Sequence, residues 1–245
     1  MERAEYDLMA AVEDRMWWYR GLHALARDAW CRAPVTRSGA IPWSVLDAGC
    51  GTGGLLRALT ASGSPTMIGL DFVEAAATVA REKSGCAVTV GSVNALPFRD
   101  GRLTAVFSMD VLCHRGVDEA CALAEVYRCL APGGLLIMNL PAYRWMLSAH
   151  DQRVHNVRRY RRGEVVAMLT QAGFRVSFAS YWNTFLFPLM VLKRKILGGD
   201  ESDVRPFPPP FEFLFRAVLS FERGLLRVGL RLPFGGSIFA VAVKP

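Results

Sequence analysis

Three features that would place a chain in well-known classes are missing here. The first residues, MERAEYDLMAAVEDRMWWYR, carry charges throughout and lack the continuous apolar run of a secretory signal or an anchor helix, so we expect a cytoplasmic protein. The cysteines form no C-x-x-C pair and fall mostly inside apolar segments. We therefore expect buried thiols, with neither a disulfide framework nor a metal site. The cysteines are Cys31, Cys50, Cys86, Cys113, Cys121 and Cys129.

Charged residues are a minority of this sequence, and the arginines cluster in one short segment. Only 21% of the 245 residues are charged and 52% are hydrophobic, which is enough to bury a full core. The net charge of +7 would suit an acidic partner such as nucleic acid, an anionic membrane surface or a phosphorylated substrate. Arginines concentrate in RVHNVRRYRRGE, residues 153–164. This segment is either a basic binding surface or a solvated start of a helix.

Short apolar runs alternate with helical patterns from residue 44 onward. Residues 3–32 have helical spacing with a break near WWYRG, and the runs SVLDAG, TMIGLD, AVTVGS, LTAVFSMD and GGLLIMNLP then follow between helical segments. This alternation predicts βαβ units in a parallel, doubly wound α/β sheet. Gly173 is expected just past the end of a helix, where a left-handed residue is needed.

The last two predicted strands are far apart in the sequence. RVSFASY and SIFAVAVKP look like edge partners, yet more than fifty residues separate them, so we infer an insertion from about Trp182 to Gly236. Its apolar stretch 184–192 contains a proline and is too short to span a bilayer. Two helices are expected, the second with an apolar side and a basic side. They either cover an apolar ligand, lie on a membrane surface, or pack on the sheet or on a second subunit.

The segment VLDAGCGTGG joins the first strand to the first helix of the alternating region. Glycine at such a turn lets the backbone approach a ligand. A phosphate-binding P-loop would need Gly-Lys-Ser or Gly-Lys-Thr, and no lysine is present. A dinucleotide site would show G-x-G-x-x-G, but the spacing here is G-x-G-x-G-G, and a pyrophosphate would be repelled by the preceding aspartate. A ligand with a cation or several hydroxyl groups fits this acid better.

Five segments in order resemble one family. VLDAGCGTG, GLDF, GSVNALPF, FSMDVLCH and VYRCLAPGGLLIMNLP are similar to the motifs of class I S-adenosylmethionine-dependent methyltransferases of the type 11-like group, over residues 43–142. The resemblance implies a Rossmann-like doubly wound seven-stranded sheet, mostly parallel with an antiparallel last strand, N-terminal helices, and a helical insertion before that strand. It implies S-adenosylmethionine as cofactor and S-adenosylhomocysteine as product.

The resemblance also implies which residues hold the cofactor. The backbone of the glycine loop would surround the methionine end and the ribose, Asp71 would accept both ribose hydroxyls, and Phe72 would lie against the adenine. The usual aspartate near the adenine amino group is replaced by the Ser92 region, and Ser108 and Met109 would offer backbone carbonyls. The expected cofactor-binding residues are Asp47, Gly49, Cys50, Gly51, Gly53, Asp71, Phe72, Ser92, Val93, Ser108 and Met109.

Catalytic and acceptor-binding residues are expected at the carboxyl edge of the sheet. His155 and His150 are candidate bases, with Asp151 to orient a histidine. An aromatic lid before the first strand would exclude water and contact the sulfonium by cation–π attraction, and the basic segment would bind an anionic acceptor group. The expected acceptor-binding residues are Trp17, Trp18, Tyr19, His114, Arg158, Arg159 and Tyr160.

We therefore expect a methyltransferase acting on a small, partly apolar molecule, with oxygen favoured as the methylated atom. The alternatives are a lipid-linked or glycolipid acceptor at a membrane surface, and a non-catalytic S-adenosylmethionine-binding protein. Nucleic acid is not expected as a partner, whereas peripheral membrane contact through the insertion and a homodimer are candidates. The expected organisation is a helical lid over 1–40, a methyltransferase domain over 41–181 and 236–245, and a substrate cap over 182–235.

Overall fold

A seven-stranded mixed sheet organises the molecule. The computed structural model describes residues 3–33, 44–61, 66–197 and 207–245. The strand order across the sheet is β3-β2-β1-β4-β5-β7-β6, with β7 antiparallel to both of its neighbours and the other pairs parallel. The strands are β1 (Ser44–Ala48), β2 (Thr66–Asp71), β3 (Ala87–Val90), β4 (Leu103–Met109), β5 (Leu130–Pro141), β6 (Arg175–Trp182) and β7 (Ser237–Val243).

Helices cover both faces of this sheet. They are α1 (Arg3–Val12), α2 (Trp17–Arg32), α3 (Gly54–Thr60), α4 (Glu74–Ser84), α5 (Glu119–Cys129), α6 (Ala149–Arg153), α7 (Arg162–Gln171), α8 (Phe187–Leu192) and α9 (Pro209–Arg227). Successive strand residues point to opposite sides: Val106 packs with α5 and α7, whereas Phe107 packs with α2, α3 and α9. The predicted doubly wound α/β architecture is confirmed.

The ends of several helices follow from local sequence. The Asp118 carboxylate accepts a hydrogen bond from the backbone amide of Cys121 and so caps α5. Gly85, with φ of +69°, ends α4, and Gly173, with φ of +91°, lies just beyond α7 as the sequence predicts. The break between α1 and α2 falls at 13–16, slightly before the aromatic segment where we expected it.

The long connection between β6 and β7 carries α8, a π-helical turn over Lys193–Leu197, and α9. β6 and β7 are antiparallel neighbours in the sheet, although more than fifty residues separate them in the chain. The inner side of α9 is formed by Phe215, Leu219, Glu222 and Leu226. The insertion is anchored on α2 through Asp28, whose carboxylate lies 3.2 Å from Arg223 Nε.

The expectation that the cysteines are buried is only half right. Cys50, Cys113 and Cys129 are buried, but Cys31 and Cys121 are exposed, because they lie on the outward sides of α2 and α5. No helix in the described ranges is long and apolar enough to cross a bilayer.

Candidate functional site: an acidic cavity at the carboxyl edge of the sheet

The loop after β1 has the backbone geometry that its glycines allow. Gly49, Gly51 and Gly53 all have positive φ, and a Cβ on Gly53 would lie 2.8 Å from the Ala80 Cα. The amides of Gly49 and Cys50 donate to the Leu70 carbonyl at 2.7 and 3.0 Å. These two bonds hold the loop against β2. A side chain at Gly53 would collide with the backbone of α4.

Three carboxyl groups lie at this loop. Burial, with further contributions from Asp71 and Glu13, raises the pKa of Asp47 to about 8. Burial also raises the pKa of Asp71 and of Glu13. An anionic phosphate placed here would add to this repulsion, whereas the ammonium or sulfonium of a cationic ligand would relieve it. These three carboxyl groups therefore fit S-adenosylmethionine, which is cationic, and disfavour a dinucleotide, which carries a pyrophosphate.

Backbone amides of the glycine loop and of the start of α4 hold the Asp71 carboxylate in place. Its two oxygens accept hydrogen bonds from the amides of Gly51 at 2.8 Å and Val73 at 2.9 Å. An ionised carboxylate offers about four acceptor positions, so two backbone bonds leave capacity for a diol. Its position at the end of β2, beside the glycine loop, is where a ribose-binding acid must lie.

A cavity of about 630 Å³ opens beside these carboxylates. This volume lies within the range of small-ligand sites. Of the expected cofactor residues, Gly53 and Ser108 are not in its wall: Gly53 packs on α4, and Ser108 is buried inside β4. The expected cofactor residues in the wall are Asp47, Gly49, Cys50, Gly51, Asp71, Phe72, Ser92, Val93 and Met109.

The side chain of Phe72 is more exposed to solvent than that of Ser92. Phe72 is 77% exposed, so one face of its ring is available for stacking. The Ser92 hydroxyl accepts a hydrogen bond from the Asn94 amide at 3.2 Å, which organises the turn after β3. Both residues border the cavity, as the proposed adenine site requires.

The N-terminal helices close one side of this cavity. Tyr6 and Met9 of α1 border it, with the Tyr6 hydroxyl 3.5 Å from Asp71 Oδ1. Neither residue was among the predicted site residues, because α1 is distant in the chain from every motif. Glu13 accepts hydrogen bonds from the Thr52 hydroxyl at 2.5 Å and from Lys83 Nζ at 2.6 Å. This buried contact ties the start of the chain to the glycine loop.

Trp17, Trp18 and Tyr19 all border the cavity, so the structure brings the expected lid aromatics to the site. The Trp18 ring stacks on Trp182 at 6.0 Å, and Trp17 packs edge to face on Phe215 of α9 at 5.3 Å. These rings therefore serve both as packing between α2 and the insertion and as the wall of the cavity.

The three candidate histidines also border the cavity. Burial, followed by nearby positive charge, lowers the pKa of His114 to about 4, so its imidazole is neutral at physiological pH. His155 has a positive φ of +59°, and its carbonyl accepts a hydrogen bond from the Arg115 amide. His150 lies on α6. The structure therefore brings all three to one cavity, and their contact with an acceptor stays a prediction.

Asp151 does not orient a histidine, which corrects that expectation. Its carboxylate is fully buried and pairs with Arg159 at 2.9 to 3.1 Å, and it also accepts from the Ser148 amide and hydroxyl. Arg159 in turn donates to the Ala142 carbonyl at 3.1 Å. Because a buried pair with its hydrogen bonds satisfied is costly to break, these two residues stabilise the loop that carries the histidines.

Arg158 and Tyr160 do not border the cavity, which corrects their expected role in binding an acceptor anion. Arg158 donates to the carbonyls of Leu112, His114 and Val117 at 2.6 to 3.2 Å. The Tyr160 hydroxyl donates to the Leu112 carbonyl or to Glu119. Arg158 and Tyr160 fasten the loop after β4 to the segment after α6.

A carboxylate that the sequence analysis passed over lies at the end of β4. Asp110 borders the cavity and has a φ of +57°, a strained conformation for a residue with a side chain. The Asn139 amide nitrogen lies 2.9 and 3.0 Å from its two oxygens, and the Trp182 indole donates to the Asn139 oxygen at 2.6 Å. Burial raises the pKa of Asp110 to about 6.

Two residues that border the cavity each have a buried polar atom without a hydrogen-bond partner among the described residues. They are Trp17, through its indole Nε1, and Asn183, through its amide oxygen. Asn183 is buried and has a positive φ of +56°. Both atoms are shielded from solvent, so neither is open to a ligand in the cavity.

Comparison with known proteins agrees with this site. Residues 46–138 match the family model described as a methyltransferase domain. A 24-methylenesterol C-methyltransferase 2 from Oryza sativa is 28% identical over 154 residues, which are 54% of this chain and 41% of the relative. The chain spans less than half the length of the curated sterol methyltransferases that it matches.

Solved structures share the fold over most of the chain. One belongs to the complex between the Trm112 methyltransferase activator of Haloferax volcanii and a methyltransferase, with a TM-score of 0.63, 24% identity and full coverage of both chains. Another is the geranyl diphosphate C-methyltransferase of Streptomyces coelicolor, with a TM-score of 0.57, 15% identity, and coverage of 91% of this chain and 79% of that one. S-adenosylmethionine is the expected cofactor of this fold, and the expectation from the five motifs is confirmed. Residues 46–138 therefore match a methyltransferase domain, and the fold around them is the one that these solved methyltransferase structures share.

Proposed function

We propose that this protein methylates a small, partly apolar molecule that carries a hydroxyl group, with S-adenosylmethionine as the methyl donor. The observation that supports it most strongly is the cavity, where the acidic loop after β1 lies at one side and a ring of aromatic and aliphatic side chains at the other. A largely apolar wall with a few polar groups is typical of sites for small apolar ligands.

In this proposal the acidic side holds the cofactor. Asp71 would accept the ribose hydroxyls, Asp47 would lie near the positively charged methionine end, and Phe72 would stack on the adenine. When bound, S-adenosylmethionine supplies a methyl group on a sulfonium, a good leaving group, and leaves as S-adenosylhomocysteine. The raised pKa of Asp47 is consistent with this assignment, because a carboxyl that is unfavourable as a lone charge gains from a cationic ligand.

Asp110 is the base that we propose for the acceptor. Its carboxylate Oδ would take the hydroxyl proton as the oxygen attacks the methyl carbon, and would then return that proton to solvent. Asn139 holds the carboxylate in place, and Trp182 holds Asn139. A base with a pKa of about 6 is largely ionised at neutral pH and still accepts a proton readily. His155 and His150 are second candidates, since both border the same cavity.

The insertion would form the acceptor side. Leu186, Leu189 and Met190 of the α8 region border the cavity beside Phe215 of α9, and together they present an apolar wall. Trp18 and Tyr19 would exclude water from the sulfonium.

A second candidate reaction is methylation of carbon. The rice relative is named for C-methylation of a sterol, which favours an apolar acceptor and a carbon nucleophile. Asp110 would serve that reaction also, because methylation of an alkene carbon leaves a cation that must lose a proton.

The test is transfer of a labelled methyl group to a panel of amphipathic alcohols, matched with the same skeletons in which the hydroxyl is already blocked as an ether. Products labelled on oxygen would support the proposal. Products labelled on carbon would replace it with the second candidate. Binding of S-adenosylmethionine with no transfer to either panel would favour a non-catalytic binding protein.

A further inference from the structure

The outer side of α9 carries a second apolar surface that the fold does not use. Alongside the buried side of the helix, six residues follow one another at intervals of three and four, so they lie on one face. Most of this face is open, with Phe221 61% exposed. We name it the apolar stripe, and it consists of Phe211, Leu214, Val218, Phe221, Leu225 and Val228.

The apolar stripe continues onto α8 and reaches the cavity. The Phe221 ring lies 5.8 Å from that of Phe185, which is itself exposed. On the following helix, Leu189 and Leu192 are exposed, and Leu189 also borders the cavity. A single apolar surface therefore leads from the outside of the insertion to the mouth of the proposed acceptor site.

The charges around this surface are sorted by sign. In the described part of the insertion, both acidic residues point inward: Glu222 accepts from the amides of Thr184 and Phe185, and Glu212 accepts from that of Trp17. The exposed charges that follow α8 and α9 in the chain are basic, and they include Lys193, Lys195 and Arg231. A second copy of this chain would meet this face with charge of the same sign, whereas an anionic lipid surface would complement it.

We propose that the apolar stripe and the α8 surface next to it dock on an anionic lipid bilayer, and that the acceptor enters the cavity from that bilayer. Exposed phenylalanines beside basic residues are typical of helices that lie in the membrane interface. The entry route rests on the proposed function, but the docking itself does not depend on methyl transfer.

The experiment is flotation of the full chain with vesicles of phosphatidylcholine, with and without phosphatidylglycerol, in the absence of any acceptor. We expect flotation with the anionic vesicles only, and weaker flotation at high salt. Phe221→Ser should reduce the partition coefficient roughly tenfold, from the apolar area that no longer enters the interface. Lys195→Glu, next to the α8 surface, should reduce it by about the same factor, because each basic residue near an anionic surface adds severalfold to binding.

Two control variants lie away from this face. Val157→Ser replaces an exposed apolar residue, and Arg99→Glu reverses an exposed charge in the turn before β4, at the opposite edge of the sheet from the cavity. Both should float like the unmodified chain. No flotation of the unmodified chain, or equal losses in the control variants, would overturn docking. A stable dimer that Phe221→Ser converts to a monomer would overturn it too, because a second copy would then cover the face. Transfer to a detergent-dispersed acceptor tests the proposed function separately.

Discussion

Replacing Asp110 by asparagine tests the proposed base while preserving the shape of the site. An asparagine at this position keeps one acceptor oxygen for the Asn139 amide, so the contact from Asn139 can persist. What disappears is the ability to take a proton. A positioned base contributes about 10²- to 10⁴-fold to the rate, so we expect kcat of Asp110→Asn to fall by that factor while the affinity for S-adenosylmethionine changes little.

The reaction rate should also depend on pH in a direction that the pKa of Asp110 determines. Because Asp110 acts only as a carboxylate and burial raises its pKa to about 6, the rate of the unmodified enzyme should rise with pH through about 6 and then level off. The Asp110→Asn variant should lack this rise. His155→Gln is the matched comparison, and it should keep the rise near pH 6 with a smaller loss of rate.

As pH rises, the contribution of Asp110 to the free energy of unfolding should fall while the reaction rate rises. A pKa raised from 3.8 to about 6 means that the folded chain binds this proton more tightly than the unfolded one, so the contribution of Asp110 to stability is lost as pH rises between those values. The shift of about two units corresponds to at most about 3 kcal/mol. A neutral side chain removes this cost, so the midpoint of thermal unfolding at pH 8 should not fall in Asp110→Asn. A folded Asp110→Asn variant that keeps its activity would refute the assignment of Asp110 as the base, and a variant that unfolds at pH 8 would contradict the stability argument.

Three further predictions concern the loop, the ion pair and the lid. Gly53→Ala should abolish cofactor binding in a thermal-shift titration, because its Cβ would meet the Ala80 backbone at a positive φ, whereas Gly163→Ala, where nothing lies within 4 Å, should bind normally. Asp151→Ala should lower the free energy of unfolding in urea by about 3 to 5 kcal/mol, since it leaves the Arg159 guanidinium buried without its charge partner; an unchanged urea midpoint would contradict this. Trp18→Ala should raise the acceptor KM, measured by steady-state kinetics, more than it raises the cofactor Kd, measured by isothermal titration. Equal effects on both constants would mean that Trp18 only packs against Trp182.

The elements that the sequence predicts well are those whose cause is local. The βαβ alternation follows from short apolar runs, and the positive φ angles of the glycine loop follow from residue type. The position of Asp71 follows from its place at the end of a strand, about twenty residues after those glycines. The pairing of β6 with β7 follows from their apolar pattern despite the long insertion between them.

The roles that the sequence analysis missed depend on partners far along the chain. The guanidinium of Arg158 bonds to carbonyls more than forty residues earlier, so this arginine, which looks like part of an anion site in the sequence, supports the loop after β4 instead. Asp110 lies within a motif that was recognised, but its role depends on Asn139 and Trp182, which belong to two other strands. Tyr6 reaches Asp71 only because α1 folds back over the loop.

Binding of S-adenosylmethionine, measured by isothermal titration, tests the central claim most directly, with NAD as the competing ligand and Asp71→Asn as the variant. Asp71→Asn loses the charge, and it keeps an acceptor oxygen for only one of the Gly51 and Val73 amides, because these amides bond different oxygens of Asp71. Charged hydrogen bonds contribute about 1.5 to 3 kcal/mol each, so the variant should bind at least tenfold more weakly, and NAD should not compete. Failure of the unmodified chain to bind S-adenosylmethionine, or a preference for NAD, would contradict the account.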